Sequence, residues 1–447
     1  MNLHSFFLIS AFSASVFAQG KIPNVTITNS TTSMHQLSSD PEFAFVLETF
    51  MSLASGGGVA TGEMLRAASR IKPGDFESFY SEFKFFADTM AQQAASIRDP
   101  AKFAVSAREA HFRAASYYRA ADFFLHGNAS DPRIMTLWTS MLENFEAGAK
   151  LLPQPPERIE LNATGFRVPV YFYQAPSAVN GGQYKHKAPT VLFGTGYDGA
   201  QQDIYHQFAH EVLARGWNFA TYEGPGQATV RREQNIGFIP QWWDAVTPVV
   251  DWLQSRDDVD TDRIALVGLS FGGQLAPLAA SHEHRFSAVI AIDGMLDIQE
   301  SALQKYPEQI VELYKSGNAT AFDFIMRKIY NTPGTSTEFK WALDQGMWSF
   351  NTESPFEWIK KMSEMAISKE MLNNISSPVF VASAQDDSVA PGQPEEMARL
   401  LGDKGTYHLF KTNIGAGEHC SLGAESQLST VTMDWLTGVF ENVTKSI

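Results

Sequence analysis

The sequence predicts an α/β fold with a mostly parallel central sheet, preceded by a region made of helices alone. Three observations support this class. Apolar side chains recur at helical spacing within residues 40–150, short apolar segments alternate with helical patterns after residue 158, and one such segment runs directly into a serine between two glycines. With 447 residues, the chain is long enough to bury a large core.

The first residues have the pattern of a secretory signal peptide. An apolar stretch from Phe6 to Phe17 precedes Ala18, so we expect residues 1–18 to be removed by cleavage. The alternative is a short membrane anchor. A bilayer span needs about 20 apolar residues, however, and no later segment is long enough to provide one.

Sequons give independent support for the secretory pathway and for secretion. The number of asparagines in N-x-S/T is well above the roughly two expected by chance. The predicted glycosylation sites are Asn24, Asn29, Asn128, Asn162, Asn318, Asn374 and Asn442. Cys420 is the only cysteine, so an internal disulfide is excluded and stability must come from the core.

Helical patterns dominate the region before the sheet. From Phe103 to Phe124, apolar or small side chains are spaced alternately by four and three residues, which is typical of an amphipathic helix. Residues 42–53 and 76–92 also favour helices. The proline-rich segment 151–158 cannot continue a helix. We therefore assign residues 19–155 to a leader and helical lid domain, and residues 156–447 to a second domain.

Beyond this boundary, strands alternate with helices. A hairpin is predicted at 159–161 and 168–172, followed by strands at 190–193, 219–222, 264–267, 288–292, 379–382 and 407–410. This alternation indicates a mostly parallel sheet. Residues 298–372 offer no clear strand and carry five aromatic side chains within 339–356. We expect a helical insertion that covers the carboxyl ends of the strands, the alternative being a structural excursion without a lid function.

The segment IALVGLSFGG places Ser270 at the point where a strand would turn into a helix. The apolar run before it lacks polar alternation, as expected of a central parallel strand. Gly268 and Gly272 would allow the close strand–helix approach of a nucleophile elbow, in which the serine hydroxyl is exposed. A bare G-x-S-x-G match is weak, but this context agrees with it. The sequence therefore predicts a serine hydrolase with an α/β-hydrolase fold.

A serine hydroxyl needs a base, and the base needs a carboxylate that fixes its tautomer. In this fold the acid and then the histidine follow the serine. His419 in the loop GAGEHC is the expected base, because His408 falls inside a predicted strand and is interpreted as structural.

For the acid, we prefer Asp387 over its neighbour Asp386, because Asp387 lies four residues before Pro391 in the loop after the strand at 379–382. Asp293 is a third choice, with a helix cap or turn as its simpler role.

Oxyanion stabilisation requires two backbone amides aimed at the developing charge. Phe271 follows the nucleophile and supplies the first, and Tyr197 in FGTGYDG is expected to supply the second. The Tyr197 hydroxyl contacting substrate and a simply packed ring both remain open.

Charge and the other motifs limit the function further. A net charge of −15 without Lys/Arg clusters argues against nucleic acid and favours a small, neutral or apolar substrate. His282 and His284 are interpreted as loop histidines, Glu223 in EGPGQ as part of a turn, and Cys420 only as a minor alternative nucleophile. We expect no metal and no cofactor. The oligomeric state is open, with a homodimer among the options.

With these residues assembled, the chain resembles fungal α/β-hydrolases of secondary metabolism, including the fusarin-cluster hydrolase and polyketide-shortening pigment hydrolases. It resembles a bacterial dihydropseudooxynicotine hydrolase more distantly. The similarity is carried by the segments SAREAHFRAASYYRAADFFL, FGTGYDG, YEGPGQ, PVVDWL, GLSFGG, QDDSVAPGQP and GAGEHC. One departure is YEGPGQA where relatives more often have D-x-PGQG, which leaves the role of Glu223 open.

The resemblance implies a triad of Ser270, Asp387 and His419, an N-terminal helical lid, and hydrolysis of an ester, a lactone or a carbon–carbon bond beside a carbonyl in a polyketide-like molecule. Two alternatives stay open. One is a ring-forming enzyme of a mycotoxin pathway, in which the captured carbonyl reacts internally. The other is a hydrolase-fold protein that binds its ligand without turnover.

Overall fold

An eight-stranded sheet runs through the computed structural model, which describes residues 34–176 and 187–445. The strands are β1 (Glu157–Asn162), β2 (Arg167–Tyr173), β3 (Ala188–Gly194), β4 (Asn218–Tyr222), β5 (Val259–Leu269), β6 (Ala288–Ile292), β7 (Val379–Ala384) and β8 (Gly405–Phe410). Every predicted strand segment forms, including the hairpin of β1 and β2.

The strand order is β1-β2-β4-β3-β5-β6-β7-β8. β2 pairs antiparallel with both β1 and β4, whereas all pairs from β4 to β8 are parallel. β3, β4, β6 and β7 are buried along their whole length, which explains why their sequences read as continuous apolar runs rather than alternating ones. The predicted α/β-hydrolase fold is confirmed.

Among the residues that the structure describes, five α-helices precede the sheet. They are α1 (Pro41–Ser52), α2 (Thr61–Ala68), α3 (Phe76–Ser96), α4 (Ala104–Asp122) and α5 (Pro132–Ala149). The Asp40 carboxylate accepts hydrogen bonds from the amides of Glu42 and Phe43, and Pro41 occupies the first turn, so α1 begins with two standard start signals.

The remaining helices lie between and after the strands. Those before β6 are α6 (Gln201–Ile204), α7 (His210–Ala214), α8 (Ala228–Gln234), α9 (Trp243–Gln254) and α10 (Gly272–Ala280). Those after β6 are α11 (Ile298–Gln304), α12 (Glu308–Lys315), α13 (Ala319–Tyr330), α14 (Thr337–Ser349), α15 (Pro355–Ser363), α16 (Lys369–Asn374), α17 (Gln393–Leu401) and α18 (Glu425–Lys445). Helices α11 to α16 occupy the predicted insertion.

The N-terminal helices and one face of the sheet share a single hydrophobic core. The Phe145 ring of α5 lies 5.6 Å from the Tyr171 ring of β2, and the Phe112 ring of α4 lies 5.4 Å from that of Tyr205. The opposite face packs against α9, α10 and the insertion. The domain division at residues 155 and 156 stays a prediction, because the described residues pack as one unit.

None of the helices in the described ranges is long and apolar enough to cross a membrane. The predicted signal peptide (1–18) and the sequons at Asn24 and Asn29 lie outside the described residues. The other predicted glycosylation sites are exposed, namely Asn128, Asn162, Asn318, Asn374 and Asn442.

Candidate active site

Ser270 lies at the sharp turn between β5 and α10, with a backbone φ of 62°. The Ser270 amide donates to the Ile292 carbonyl at 3.1 Å, and the Gly273 amide donates to the Ser270 carbonyl at 2.6 Å. These bonds hold a non-glycine residue in the left-handed region, where it would otherwise be strained. The serine is therefore fixed in the elbow conformation that the sequence predicted.

The turn is tight enough to require glycine on both sides of the serine. A Cβ atom at Gly268 would lie 1.8 Å from the Gly272 carbonyl oxygen, and a Cβ at Gly272 would lie 2.7 Å from the Thr195 carbonyl oxygen. Both obstacles are backbone atoms, so no side-chain rotation relieves them. The two glycines allow α10 and the loop after β3 to approach the end of β5.

We expect Gly268→Ala to lower the free energy of unfolding by at least about 3 kcal/mol, because the new methyl group must displace backbone. The matched control is Gly62→Ala in the first turn of α2, where nothing beyond the chain neighbours and the helix backbone lies within 4 Å of the new Cβ, and stability should change by less than about 1 kcal/mol. Urea unfolding of both variants checks the pair. Equal stability of the two variants would contradict the requirement for glycine at position 268.

Three residues far apart in the chain meet at the carboxyl ends of β5, β7 and β8. His419 Nε2 lies 2.8 Å from Ser270 Oγ, and His419 Nδ1 lies 2.9 Å from Asp387 Oδ1. His419 and Asp387 are buried, whereas Ser270 is partly accessible. The structure thus brings together the three side chains that the sequence singled out, in hydrogen-bonding geometry.

The two adjacent aspartates after β7 point in different directions. Asp387 Oδ1 also accepts from the Val389 amide at 2.7 Å. Asp386 Oδ2 instead accepts from the Thr412 hydroxyl at 2.6 Å, and its amide donates to the Gly417 carbonyl at 2.8 Å. Asp386 therefore braces the loop that follows β8, and Asp387 is the one of the two that contacts the histidine.

Asp293 lies closer to the histidine than the sequence indicated. Its Oδ2 is 3.1 Å from His419 Nδ1, the nitrogen that also faces Asp387. The same carboxylate accepts from the Ala384 amide at 3.0 Å and from the Cys420 amide. Its expected role as a turn or helix cap is therefore incomplete, because it ties the end of β6 to the histidine loop and places a second negative charge beside the imidazole.

The backbone amides of Tyr197 and Phe271 are free of hydrogen bonds to other described residues. The loop after β3 passes directly over the elbow, since a Cβ at Gly196 would lie 2.9 Å from both the Phe271 nitrogen and Ser270 Cβ. Gln227 Nε2 donates to the carbonyls of Thr195 and Gly196 at 2.7 and 3.1 Å. This loop geometry suits the amide pair of an oxyanion hole.

The EGPGQ turn supports this loop. Glu223 is fully buried and accepts from the amides of Gln201 and Thr229 at 2.8 and 2.6 Å, which agrees with its interpretation as a structural residue. Sequence reasoning did not identify Gln227 as the side chain that fixes the loop after β3. The signal available was its place directly after the Gly-Pro-Gly turn of a neighbouring strand.

The chain matches a known protein family over residues 174–421, which are more than half of its length. This family is the X-Pro dipeptidyl-peptidase (S15) family. The chain belongs to this family. The matched segment runs from the end of β2 to just past His419 and so contains every side chain of the site described above.

Individual relatives are similar to this chain beyond the matched segment, over most of its length. Hydrolase acrC of Aspergillus aculeatus is 28% identical over 89% of this chain and 96% of its own length. The 20-hydroxy-prefusarin hydrolase FUS2 of Gibberella moniliformis is 27% identical over 91% of this chain and 98% of its own. The resemblance to fungal secondary-metabolism hydrolases is confirmed, and this S15-family chain is an α/β-hydrolase enzyme.

Among solved structures, a 2,6-dihydroxy-pseudo-oxynicotine hydrolase superposes with a TM-score of 0.66 and 21% identity. The match covers 87% of this chain and 95% of that one. The similarity therefore includes the N-terminal helices as well as the sheet, and it supports the fold.

The carboxylates around His419 set the electrostatics of this S15-family site. Burial alone lowers the pKa of the imidazole, but Cys420, Asp387 and Asp293 raise it well above its ordinary value of 6.5. Because burial raises the pKa of the Cys420 thiol to about 12, that thiol is uncharged near neutral pH and the two carboxylates carry the effect. Cys420 is accordingly a poor nucleophile.

The pKa of Asp387 shifts in the opposite direction to that of His419. Burial raises its pKa, but His419 and the backbone amides of Val389 and Ala390 lower it below the ordinary value. The carboxylate therefore stays ionised beside the imidazole. An ionised acid of this kind stabilises the imidazolium that forms when the histidine accepts a proton.

A cavity of about 540 Å³ opens onto Ser270 and His419. Helix α1 forms one wall, and its Phe45 ring lies 6.2 Å from the His419 ring. Residues of α11, α14 and α15 also line it, and the Tyr197 ring, another part of the lining, packs 6.2 Å from the Phe271 ring. Residues of the N-terminal helices and of the insertion thus both line the space around the serine.

The atoms of Asp293, His419 and Cys420 that could ligate a metal lie within 4.8 Å of one another. His419 Nδ1 already faces two carboxylates, and the Cys420 thiol is protonated, so these donors fit a proton-transfer network better than a metal centre. His282 stacks on Trp243 with ring centroids 3.6 Å apart, which accounts for this loop histidine without a metal.

Proposed function

We propose that the chain is a serine hydrolase in which Ser270 is the nucleophile, His419 the general base and Asp387 the triad acid. The observation that carries this proposal is the continuous hydrogen-bond path from Ser270 Oγ through both His419 nitrogens to Asp387. Ser270 and His419 line the cavity, so a substrate carbonyl bound there can reach the serine.

The proposed reaction has two halves, the formation of an acyl-enzyme and its hydrolysis, and His419 transfers a proton in both. His419 Nε2 takes the hydroxyl proton while Ser270 Oγ attacks the carbonyl carbon, and the oxyanion accepts hydrogen bonds from the amides of Tyr197 and Phe271. Collapse expels the leaving group, which receives the proton from His419. Water then attacks the acyl-enzyme with His419 again as base, releasing the acid and restoring the serine.

For the substrate, we propose an ester, a lactone or a carbon–carbon bond beside a carbonyl in a bulky, polyketide-like molecule. Two observations support this class. The relative FUS2 is named for its action on 20-hydroxy-prefusarin, and the cavity is large and mostly lined by apolar and aromatic side chains. Ester and carbon–carbon cleavage both begin with attack on a carbonyl, so one site serves either.

Labelling with a fluorophosphonate probe tests the proposal. We expect a covalent adduct on the peptide that contains Ser270. With substrate, we expect products whose masses add up to the mass of the substrate plus one water. A protein that only binds its ligand would remain unlabelled. A labelled protein whose product keeps the substrate mass would instead be a ring-forming enzyme.

We also propose that the chain enters the secretory pathway and is secreted. The apolar N-terminal stretch and the exposure of the five described sequon asparagines support this. Protein secreted from a fungal host should lose mass on treatment with an endoglycosidase. Retention of the full-length chain inside the cell without glycans would contradict the proposal.

A further inference from the structure

Two glutamates of α1 line the active-site cavity without a partner. Glu42 and Glu48 are each only 8% exposed, and the Oε1 atom of each is buried with no hydrogen-bond partner among the described residues. Leaving a buried carboxylate oxygen unpaired is costly, so each such group needs an explanation, and a charged ligand that completes the site is one.

Helical spacing places these two glutamates on either side of Phe45. Glu42, Phe45 and Glu48 are spaced by three residues, so neighbouring members lie about one helical turn apart on the same face. Phe45 is the residue whose ring lies 6.2 Å from His419. The two glutamates therefore flank the part of α1 that covers the imidazole.

The charge in this cavity is strongly one-sided. Six carboxylates line it, but only two cationic side chains, Arg119 and Lys305, do so apart from the histidine. Both cations are already engaged, since Lys305 Nζ lies 2.6 Å from Glu338 and Arg119 Nε lies 3.7 Å from Asp203. Neither Glu42 nor Glu48 is neutralised by an ion pair of this kind.

Their surroundings disfavour ionisation. Burial, followed by Glu338, Asp198 and Asp40, raises the pKa of Glu42 to about 8 in spite of Lys305. Burial and the neighbouring Glu418 raise the pKa of Glu48 to about 7. A positive charge bound in the cavity near them would favour the charged form of both carboxylates and supply a partner for them.

We propose that the cavity takes a substrate with a positively charged nitrogen, which Glu42 and Glu48 bind while the carbonyl of the substrate meets Ser270. The kinetic part of this inference rests on the proposed hydrolase function. The proposed substrate differs from the neutral or apolar one that the net charge of the chain favours, because net charge does not reveal two unpaired carboxylates inside the site. A neutral apolar group would leave both oxygens unpaired.

A pair of isosteric esters tests the preference for charge. In 4-nitrophenyl 4-(trimethylammonio)butanoate the nitrogen carries a charge, and in 4-nitrophenyl 5,5-dimethylhexanoate a carbon of the same shape replaces it. Longer homologues of both cover the reach from Ser270. At pH 9, where the glutamates are ionised, we expect kcat/KM for the best cationic ester to exceed that of its neutral partner by about tenfold or more.

Three variants locate the effect. Glu42→Gln and Glu48→Gln keep the side-chain shape but remove the charge, and each should lower the ratio of cationic to neutral kcat/KM, because one of the two charges that bind the nitrogen is gone. Glu109→Gln removes the same charge from an exposed position on α4 and should leave the ratio unchanged. A ratio that survives both α1 substitutions would overturn the proposal.

A binding measurement separates this proposal from the proposed function. Ser270→Ala protein is titrated with the amides of the same two acids, 4-(trimethylammonio)butanamide and 5,5-dimethylhexanamide, by calorimetry in phosphate and in Tris. We expect tighter binding of the cation, with release of roughly one proton at pH 7.5 as the glutamates ionise.

Equal affinity for the two amides, or no proton release, would overturn the cation site even if the wild type hydrolyses both esters. Tighter binding of the cationic amide by a protein that neither hydrolyses esters nor reacts with the fluorophosphonate would support the cation site. The same result would refute the hydrolase.

Discussion

Ser270→Ala is expected to abolish fluorophosphonate labelling and to lower kcat by roughly 10³-fold to 10⁶-fold. The reason is geometric, because Ser270 Oγ lies 2.8 Å from His419 Nε2 and both residues line the cavity. Substrate affinity should stay within about threefold of the wild type, since removal of the hydroxyl leaves the cavity walls intact. Steady-state kinetics and ligand titration measure the two effects separately.

The matched control is Ser388→Ala. Ser388 lines the same cavity but is exposed, and its replacement should leave kcat nearly unchanged. Thermal unfolding of both variants shows whether a loss of activity reflects a loss of structure. Turnover in the Ser270 variant within tenfold of the wild type would remove this residue from the mechanism.

The second large effect concerns the two carboxylates beside the histidine. Asp387→Asn is expected to lower kcat by roughly 10³-fold to 10⁴-fold, because an amide at this position can offer an N–H to Nδ1 and so stabilise the wrong tautomer. Asp293→Asn should cost about tenfold or less. Its carboxylate lies 3.1 Å from Nδ1 and is shared with the Ala384 and Cys420 amides.

The pH profile distinguishes the roles of these two acids. His419 must be unprotonated to accept the serine proton. Burial lowers its pKa, but the carboxylates of Asp387 and Asp293 raise it above 6.5. Activity should therefore be lost as pH falls through that raised value, so the acidic limb of kcat/KM should have its midpoint above pH 6.5. Removal of one negative charge in Asp293→Asn should move this limb to lower pH by about one unit.

An acidic limb that stays in place in Asp293→Asn would show that this carboxylate does not act on the imidazole. If instead Asp293→Asn lost as much kcat as Asp387→Asn, the acid role assigned to Asp387 would be shared between the two. Comparison of the Asp386→Asn variant completes the set. Its side chain contacts Thr412, so its kcat and pH profile should match those of the wild type.

The positions of Ser270, His419 and Asp387 were predictable because each follows a strand in a fixed chain order, and a strand end is a local feature of the sequence. The contact between Asp293 and His419 is of a different kind. It depends on β6 and β7 being neighbours and on the rotation of one side chain, which no local pattern records.

The same distinction applies to α1. The sequence predicted a helix over residues 42–53, but it could not predict which element this helix covers. Glu42 and Glu48 look like ordinary surface glutamates in the sequence, and only the tertiary packing buries them in the cavity. The length of β5 was underestimated, because the strand runs from Val259 and its polar residues 260–263 form an irregularity between the paired residues Val259 and Ile264.

The common core of the N-terminal helices and the sheet limits how a ligand enters and leaves. Swinging the five helices outward as one body would bare the rings of Phe112, Phe145 and Tyr171, all nearly inaccessible in the folded chain. Hydrating three such rings costs about 10 kcal/mol, so an open form of that kind would be populated about once in 10⁷ molecules. Ligand entry and product release must therefore occur through small local displacements. A variant that speeds product release should lie at the rim of the cavity rather than at a distant hinge.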